Sequence, residues 1–182
     1  MSMADAARLL VGLPPLIDDR SVVLVLGSFP SKMSLAKREY YGNPQNHFWP
    51  MMETLFGIDR QAPYTSRTSA LLDHRIAVWD VIAECNREGS GDDAITEADP
   101  NPIMRLLKDF PGIRSIAFNG GTASRTARLF VPDLFDQEEV ECERLPSSSP
   151  RNARVRLDDK VEAWRRIKVW LNEASPDAGD SY

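Results

Sequence analysis

Polar and aromatic side chains that suit a flat ligand are concentrated in residues 27–49, GSFPSKMSLAKREYYGNPQNHFW. A core element does not need this mixture, whereas a pocket for a flat, polar, aromatic ligand does. A second segment, LPSSSPRNAR at residues 145–154, carries three serines between prolines. Hydroxyls and backbone N–H groups are good neutral ligands for phosphate. Together the two segments predict a nucleobase pocket beside a phosphate-binding loop.

Two residues of the first segment could bind a polar ligand, and each also has a simpler structural interpretation. Gly27 permits a tight turn and a close backbone approach, so the N–H groups after it could donate to a base carbonyl. It could equally be only the end of a strand. The amide of Asn46 could orient a water molecule or donate to the edge of a base. The competing interpretation is a helix N-cap, which asparagine often provides.

The aromatic residues of the first segment divide into a ligand face and a core. Either Phe48 or Trp49 could stack on a base, which contributes about 1–3 kcal/mol per base, while the other packs beneath it; alternatively both belong to the core. Trp49 is expected to belong to the core. Tyr40 and Tyr41 either line the pocket or only fill the loop.

The second segment has a DNA-binding interpretation and two simpler ones. Arg151 and Asn152, at its tip, are expected to wedge into a duplex and fill a vacated space. The same residues could form an ordinary Ser-Pro turn. A serine nucleophile would need a base, and neither His47 nor His74 has a spacing that supports one.

Positive charge is concentrated on the same two segments, although the chain has a net charge of −5. Residues 31–38 carry three basic side chains and residues 144–156 carry four, with no acidic side chain in either stretch. A local positive patch can bind phosphate on an acidic protein, because screening makes the local field dominate. Each run alone could also be merely a solvated surface.

The composition argues against several classes of protein. Cys85 and Cys142 lie in no redox or metal motif and are expected to be free thiols. Two cysteines and two histidines are too few for an iron–sulfur cluster or a convincing zinc site, so no metal and no cofactor is expected. No apolar run reaches membrane-spanning length, and the N-terminus lacks the features of a signal peptide. We expect a cytoplasmic monomer.

Short apolar runs alternate with helical patterns, which predicts a parallel sheet covered on both faces. The predicted strands are residues 21–26, 76–82, 113–118 and 140–145, and the predicted helices are residues 48–56, 65–72, 101–109, 122–130 and 158–172. Residues 1–15 are expected to form a surface helix and residues 85–98 a loop. A single domain is predicted over residues 1–173, with a disordered tail at 174–182. In such sheets ligands bind beyond the carboxyl ends of the strands, where both segments begin.

Three motifs together resemble the uracil-DNA glycosylase superfamily, and above all its hypoxanthine-DNA glycosylase family. They are GSFPSKMS with YYGNPQNHFW, then LLDHRIAVWDVI, then LPSSSP followed by Arg-Asn-Ala, and they span residues 22–170. The resemblance implies a three-layer α/β/α sandwich with a central four-stranded parallel sheet. It also implies hydrolysis of the N-glycosidic bond of a deaminated base, hypoxanthine first and uracil second, flipped out of DNA.

The resemblance also assigns roles to residues. Sister families place Asn or Asp at the third position of the opening motif, where this chain has Phe29, so the catalytic role passes to Asn46. The expected base-binding residues are Gly27, Ser28, Phe29, Ser34, Tyr41, Phe48 and Asn119. The expected DNA-binding residues are Lys32, Ser147, Ser148, Ser149, Pro150, Arg151 and Asn152. No lysine of the first loop is expected to act as a Schiff-base nucleophile, which predicts a monofunctional enzyme.

Two other functions compete with a DNA glycosylase. Phe29 at the customary catalytic position suits a non-catalytic nucleic-acid or nucleotide-binding module on the same fold. A small-molecule hydrolase acting through the serine loop is the third hypothesis. Base release from DNA containing deoxyinosine or deoxyuridine separates the first hypothesis from the other two.

Overall fold

A four-stranded parallel sheet forms the centre of the protein, for which a computed structural model describes residues 9–87 and 95–175. Its spatial order is β3-β2-β6-β7, and every neighbouring pair is parallel. The strands are β2 (Val23–Gly27), β3 (Ile76–Asp80), β6 (Ser115–Asn119) and β7 (Glu141–Leu145). All residues of β2 and β3 are buried, as their nearly continuous apolar sequences predict.

Helices cover this sheet and complete the predicted three-layer α/β/α sandwich. They are α1 (Lys32–Lys37), α2 (Phe48–Phe56), α3 (Tyr64–Asp73), α4 (Ile103–Asp109), α5 (Gly121–Phe130), α6 (Leu157–Trp164) and α7 (Arg166–Glu173), with a 3-10 turn at Pro132–Asp136. The α1 helix was not predicted, and the single helix predicted at 158–172 is two helices that meet at Arg165. None of the helices in the described ranges is long and apolar enough to cross a membrane.

A second, antiparallel sheet corrects two sequence-based predictions. It has the order β1-β4-β5, formed by β1 (Leu9–Val11), β4 (Ile82–Arg87) and β5 (Ile95–Pro100). The surface helix predicted at 1–15 is therefore wrong at residues 9–11, and the loop predicted at 85–98 is wrong at both ends. In β4 buried and half-buried residues are mixed, so its polar residues concealed a strand. Residues 1–8 and 88–94 of these two segments lie outside the described ranges.

The core is continuous from α2 across the parallel sheet to α6 and α7. Trp164 and Trp170 are its largest fully buried side chains. At the end of α7, Ser175 Oγ donates to Leu171 O and accepts from Arg75 Nη2. The remainder of the predicted C-terminal tail, residues 176–182, lies outside the described part of the chain.

The four parallel strands end at one edge, so the segments that follow them converge there. The segment after β2 is the opening motif, Gly120 follows β6, and Pro146 follows β7. The main-chain N–H groups of Val81 and Ile82, after β3, donate to the carbonyls of Gly27 and Ser28 at 2.9 and 3.0 Å. The predicted convergence of distant loops on one rim is therefore present.

A substitution at Gly120 tests how closely the loops at this rim are packed. It has φ 98°, and a Cβ atom there would lie 2.7 Å from Ser147 Cβ. Gly57 also has a positive φ, 69°, but a Cβ there would meet no atom within 4 Å. We expect Gly57→Ala to lower the free energy of unfolding by about 1–2 kcal/mol, the cost of a left-handed residue. Gly120→Ala should lower the free energy of unfolding by clearly more, because the collision of the new Cβ with Ser147 adds to the backbone strain.

Urea unfolding of both variants measures the difference. Equal losses for the two variants would show that the contact between Gly120 and Ser147 does not constrain the rim.

Candidate active site

A cavity of about 200 Å³ opens at the carboxyl ends of the strands. Most of the residues predicted from the sequence line it, namely Gly27, Ser28, Phe29, Ser34, Tyr41, Asn46, Asn119, Ser147, Ser148, Ser149, Pro150 and Arg151. Three predicted residues do not: Lys32, Phe48 and Asn152. Asp80 also lines the cavity and was not predicted. The structure thus brings two segments about a hundred residues apart into one site.

Ser148 joins the loops of the site. Its backbone N–H donates to Asn119 Oδ1 at 2.8 Å, and its Oγ accepts from Asn119 Nδ2 at 2.8 Å. Its carbonyl accepts from the backbone N–H of His47 at 2.9 Å. Ser148 is only 1% exposed, so these bonds are shielded from water. The serine loop, the end of β6 and the start of α2 are therefore held together through one residue.

The rest of the serine loop is braced by its own hydrogen bonds. Ser147 Oγ accepts from the backbone N–H of Ser149 at 3.2 Å. Asn152 Nδ2 donates back to Ser147 O at 3.2 Å, which occupies the side chain predicted to wedge into a duplex. Trp164 Nε1 donates to Pro146 O at 2.9 Å and ties the loop to the core. Arg151 is exposed at the tip of this loop.

The side-chain oxygen of Asn46 accepts one hydrogen bond, and its amide nitrogen is available to donate. Its Oδ1 accepts from the backbone N–H of Phe48, the first residue of α2, at 2.9 Å. The N-cap residue of α2 is His47, so the helix-cap interpretation of Asn46 is not confirmed, and the observed bond uses only one lone pair of the oxygen. The amide nitrogen donates to no residue in the described ranges, and the residue lines the cavity. The bond to Phe48 thus fixes the amide and leaves its donors for a ligand.

Tyr41 lines the cavity, whereas Phe48 does not. The Phe48 ring is fully buried, and Tyr41 stacks on it with the centroids 4.0 Å apart and an angle of 22°. Trp49 and Trp164 also pack against the Phe48 ring, both in edge-to-face contacts. Stacking of a base on Phe48 stays a prediction, and it requires the Tyr41 ring to leave its present place. Trp49 belongs to the core, as predicted.

The left-handed backbone at Tyr41 is held by its neighbours. Tyr41 has φ 55°, a conformation that costs energy for a residue with a large side chain. Ser34 Oγ accepts from the N–H of Gly42 at 3.0 Å, and Lys37 Nζ donates to Gly42 O at 2.9 Å. Lys37 therefore braces the loop, whereas Lys32 is exposed at the start of α1 and lines no part of the cavity.

Phe29 has a structural role in addition to its place in the cavity wall. It is 7% exposed and forms a small second core with Ile82 and Cys85 of β4. The guanidinium of Arg87 lies 5.1 Å from its ring centroid. The third residue of the opening motif therefore anchors the antiparallel sheet to the rim of the parallel one.

A buried lysine lies behind the site. Lys160 is fully buried, and its Nζ lies 3.2 Å from Nδ1 of His47. Burial lowers the pKa of His47, and the charge of Lys160 lowers it further. Burial also lowers the pKa of Lys160. Neither residue lines the cavity, and the described structure shows no hydrogen bond from His47 to a serine hydroxyl. A serine nucleophile therefore has no base here.

A basic groove of about 660 Å³ adjoins the cavity and shares Ser147, Ser149 and Arg151 with it. Its lining includes Arg125 and Arg144 but no acidic residue. Nη1 atoms of Arg125 and Arg144 approach the same point above Gly121, at 2.9 and 3.6 Å from where its Cβ would lie. Neither arginine forms an ion pair within the described ranges. Convergence of two guanidinium groups without an acidic partner is typical of a phosphate site.

Within residues 9–87 and 95–175, no group of three or more His, Cys, Asp or Glu side chains converges in a way that could hold a metal ion.

Removal of the Ser148 hydroxyl tests the three-way junction. Ser148→Ala deprives the half-buried Asn119 amide of an acceptor held by the buried Ser148, which we expect to lower the free energy of unfolding by about 1–3 kcal/mol. Ser69→Ala, at an exposed position of α3, is the matched control and should stay within about 0.5 kcal/mol of the parent. Urea denaturation of both variants gives the comparison, and indistinguishable midpoints would contradict a stabilising junction.

Comparisons with known proteins agree on one group. No protein-family model matches the chain. A Methanosarcina acetivorans protein named hypoxanthine DNA glycosylase is 38% identical over 157 residues, covering 86% of this chain and 96% of that protein. A Methanosarcina barkeri protein of the same name is 39% identical over 111 residues, covering 60% of this chain and 70% of that protein.

A solved structure has the same fold. The solution NMR structure of a candidate uracil DNA glycosylase from Methanosarcina acetivorans superposes with a TM-score of 0.73 at 32% sequence identity. The match covers 88% of this chain and 99% of that one. With 38% identity across nearly the whole length of a relative, and with the fold and the two motif loops in place, the chain belongs to the hypoxanthine DNA glycosylase family of the uracil-DNA glycosylase superfamily.

Proposed function

We propose that this protein is a DNA glycosylase that hydrolyses the N-glycosidic bond of a deaminated base, hypoxanthine first. The observation that carries this function is a polar cavity about 200 Å³ in volume that opens beside a groove lined only by basic and neutral residues. Such a volume is below that of pockets for drug-sized ligands and suits a single base. The groove suits the phosphates that flank a flipped nucleotide. The relatives named hypoxanthine DNA glycosylase support the same reaction.

The Asn46 amide is proposed to stabilise the departing base. When the bond to C1′ breaks, its electrons pass to the base, so hydrogen-bond donors aimed at the base lower the barrier. The amide nitrogen is available to donate, because Oδ1 is the atom that accepts from the N–H of Phe48. The second lone pair of Oδ1 can still orient the attacking water. Since the amide is fixed before substrate binds, little reorganisation is needed in the transition state.

We also propose that the enzyme releases the base without cleaving the strand. Strand cleavage by a glycosylase begins with an amine that forms a Schiff base with C1′. The lining of the described cavity includes no lysine, and Lys37 donates to a backbone carbonyl of its own loop. Water is then the nucleophile. The non-catalytic module is not favoured, since the named relatives are glycosylases.

Asn46 variants test the catalytic proposal. Asn46→Ala removes the donor, and we expect it to slow release of hypoxanthine from duplex DNA by about 10²–10³-fold. Asn46→Asp keeps the oxygen that accepts from the N–H of Phe48 but removes the amide donor, so it should slow hypoxanthine release by a similar factor. Affinity for the DNA should change much less. Single-turnover base release, followed by alkaline cleavage, gives the rates, and fluorescence anisotropy gives the affinity.

The matched control is Asp59→Ala. Asp59 Oδ1 accepts from the N–H of Gln61 at 2.8 Å, the same local bond that Asn46 makes, but at an exposed position. It should leave the rate unchanged. If Asn46→Asp released hypoxanthine at the wild-type rate, the amide would not be a catalytic donor.

The basic groove predicts the salt dependence of DNA binding. If Arg125 and Arg144 each contact a phosphate, the slope of log K against log salt should fall by about 2 in the Arg125→Ala/Arg144→Ala double variant. A double variant of Arg105 and Arg114 removes the same charge. Those two residues are exposed and pair with Asp109 and Glu139, and neither lines the groove. An equal slope change in both double variants would show a general charge effect and contradict a phosphate site.

A further inference from the structure

The buried lysine behind the site carries a charge that no acidic side chain of the described ranges neutralises. Lys160 is fully buried on the face of α6 that also buries Val161 and Trp164. Its Nζ lies 3.2 Å from Nδ1 of His47 and bonds to no other described residue. Burying an ammonium group without a carboxylate costs stability, and an apolar side chain of similar volume often stabilises a protein more. Stability alone therefore does not account for Lys160.

The ammonium and the imidazole determine each other's protonation states. Two cations 3.2 Å apart would repel strongly, so Lys160, the stronger base, keeps the charge and His47 stays neutral. A nitrogen that accepts from an ammonium group carries no hydrogen, so the imidazole hydrogen lies on Nε2. Burial lowers the pKa of His47, and the charge of Lys160 lowers it further. The bond between the two residues is therefore present at neutral pH and is lost when His47 is protonated.

His47 holds the segment that carries Asn46. It is the N-cap residue of α2, and its backbone N–H donates to Ser148 O at 2.9 Å. Its ring is a point at which α6 holds the start of α2 by a hydrogen bond. Asn46 precedes it in the chain, lines the cavity and accepts from the N–H of Phe48. A shift of the His47 ring would move the peptide group between the two residues and, with it, the Asn46 amide.

We propose that Lys160 is a positioning residue for base release: through the neutral ring of His47 it holds the start of α2, and with it the Asn46 amide, in the geometry that the reaction needs. The inference rests on the proposed glycosylase function. Lys160 lines neither the cavity nor the groove, so it acts through His47 rather than on the DNA. A misplacement of about 1 Å can slow a reaction about 100-fold, so a contact that costs stability can still increase the rate.

Lys160 carries the only buried charge on α2, α6 and the serine loop, all of which lie in the described ranges. The other charged side chains of these elements are exposed or half-buried, namely Glu53, Arg151, Arg154, Asp158, Asp159 and Glu162. Glu53 pairs with Arg60 and Glu162 with Arg165. Solvent screens exposed charges much more than buried ones. The protonation of His47 therefore depends chiefly on its burial and on Lys160.

Removal of the ammonium separates a positioning role from a stabilising one. Lys160→Met keeps most of the volume and removes the charge, so the urea midpoint should stay the same or rise. Single-turnover release of hypoxanthine from duplex DNA at neutral pH should fall about 10–100-fold. Affinity for the DNA, measured by anisotropy, should stay within about 2-fold. Lys108→Met, at an exposed position of α4, is the matched control and should leave all three quantities unchanged. A wild-type rate in Lys160→Met would overturn the proposal.

His47 variants show whether Lys160 acts through the imidazole. His47→Asn places an oxygen acceptor near the position of Nδ1 and does not titrate, so it should keep most of the rate down to about pH 5. Over the same range the wild-type rate should fall towards that of Lys160→Met, because protonation of His47 breaks the same bond. The rates of the Lys160→Met/His47→Phe double variant and of its single variants should not be additive. Additive losses, or the same pH dependence in every variant, would overturn the proposal.

Hydrogen exchange keeps the test independent of catalysis. The backbone N–H of His47, which donates to Ser148 O, should exchange about 10-fold faster in Lys160→Met, while that of Val25 in β2 should not change. Equal exchange at His47 in both proteins would overturn the proposal. Circular dichroism checks folding, and if His47→Phe does not fold, His47→Asn decides alone. Failure of wild type to release hypoxanthine would instead contradict the proposed function, while exchange still reports whether Lys160 holds the start of α2.

Discussion

The whole site depends on the hydrogen bonds that converge on Ser148. Its backbone N–H and hydroxyl satisfy Asn119, and its carbonyl accepts from His47. These partners belong to the end of β6 and the start of α2, which are far apart in the chain. Because Ser148 is buried, each broken bond would leave a polar group without water. The loop therefore has one arrangement in which all of these groups are paired.

The hydrogen bonds around this junction distinguish residues that hold the loops together from residues whose polar groups are available to a ligand. Asn119 and Asn46 are both asparagines at the cavity, yet the Asn119 amide is used by Ser148 while the Asn46 amide nitrogen is available. Asn152 and Lys37 are likewise occupied with their own loops. A residue type alone does not reveal its role here; the partners of its donors and acceptors do.

The sequence predicted the parts of the fold that local patterns determine. The apolar strands, the α2 helix ending at Gly57 and the convergence of two loops were all recognisable. The antiparallel sheet was missed because β4 mixes buried and half-buried residues and includes the polar side chains of Glu84, Asn86 and Arg87, and because it also pairs with β1, which is distant in sequence. The stacking of Tyr41 on Phe48 depends on side-chain packing that no spacing encodes.

Two features of the candidate site lacked any local signal in the sequence. Asp80 ends an apolar strand, IAVWD, and only its register with Gly27 places it in the cavity. Arg125 and Arg144 lie on different elements and meet only because α5 begins where β7 ends. A carboxylate closing an otherwise apolar strand at the ligand-binding edge is the one pattern that could have indicated Asp80.

The packing of Phe29 has a consequence for how this family can change. Its ring fills a small core with Ile82 and Cys85, so a polar residue there would leave a void and an unsatisfied group at once. An Asn or Asp at this position would therefore need compensating changes in β4 as well. Phe29 cannot be exchanged for either residue in a single step without a loss of stability.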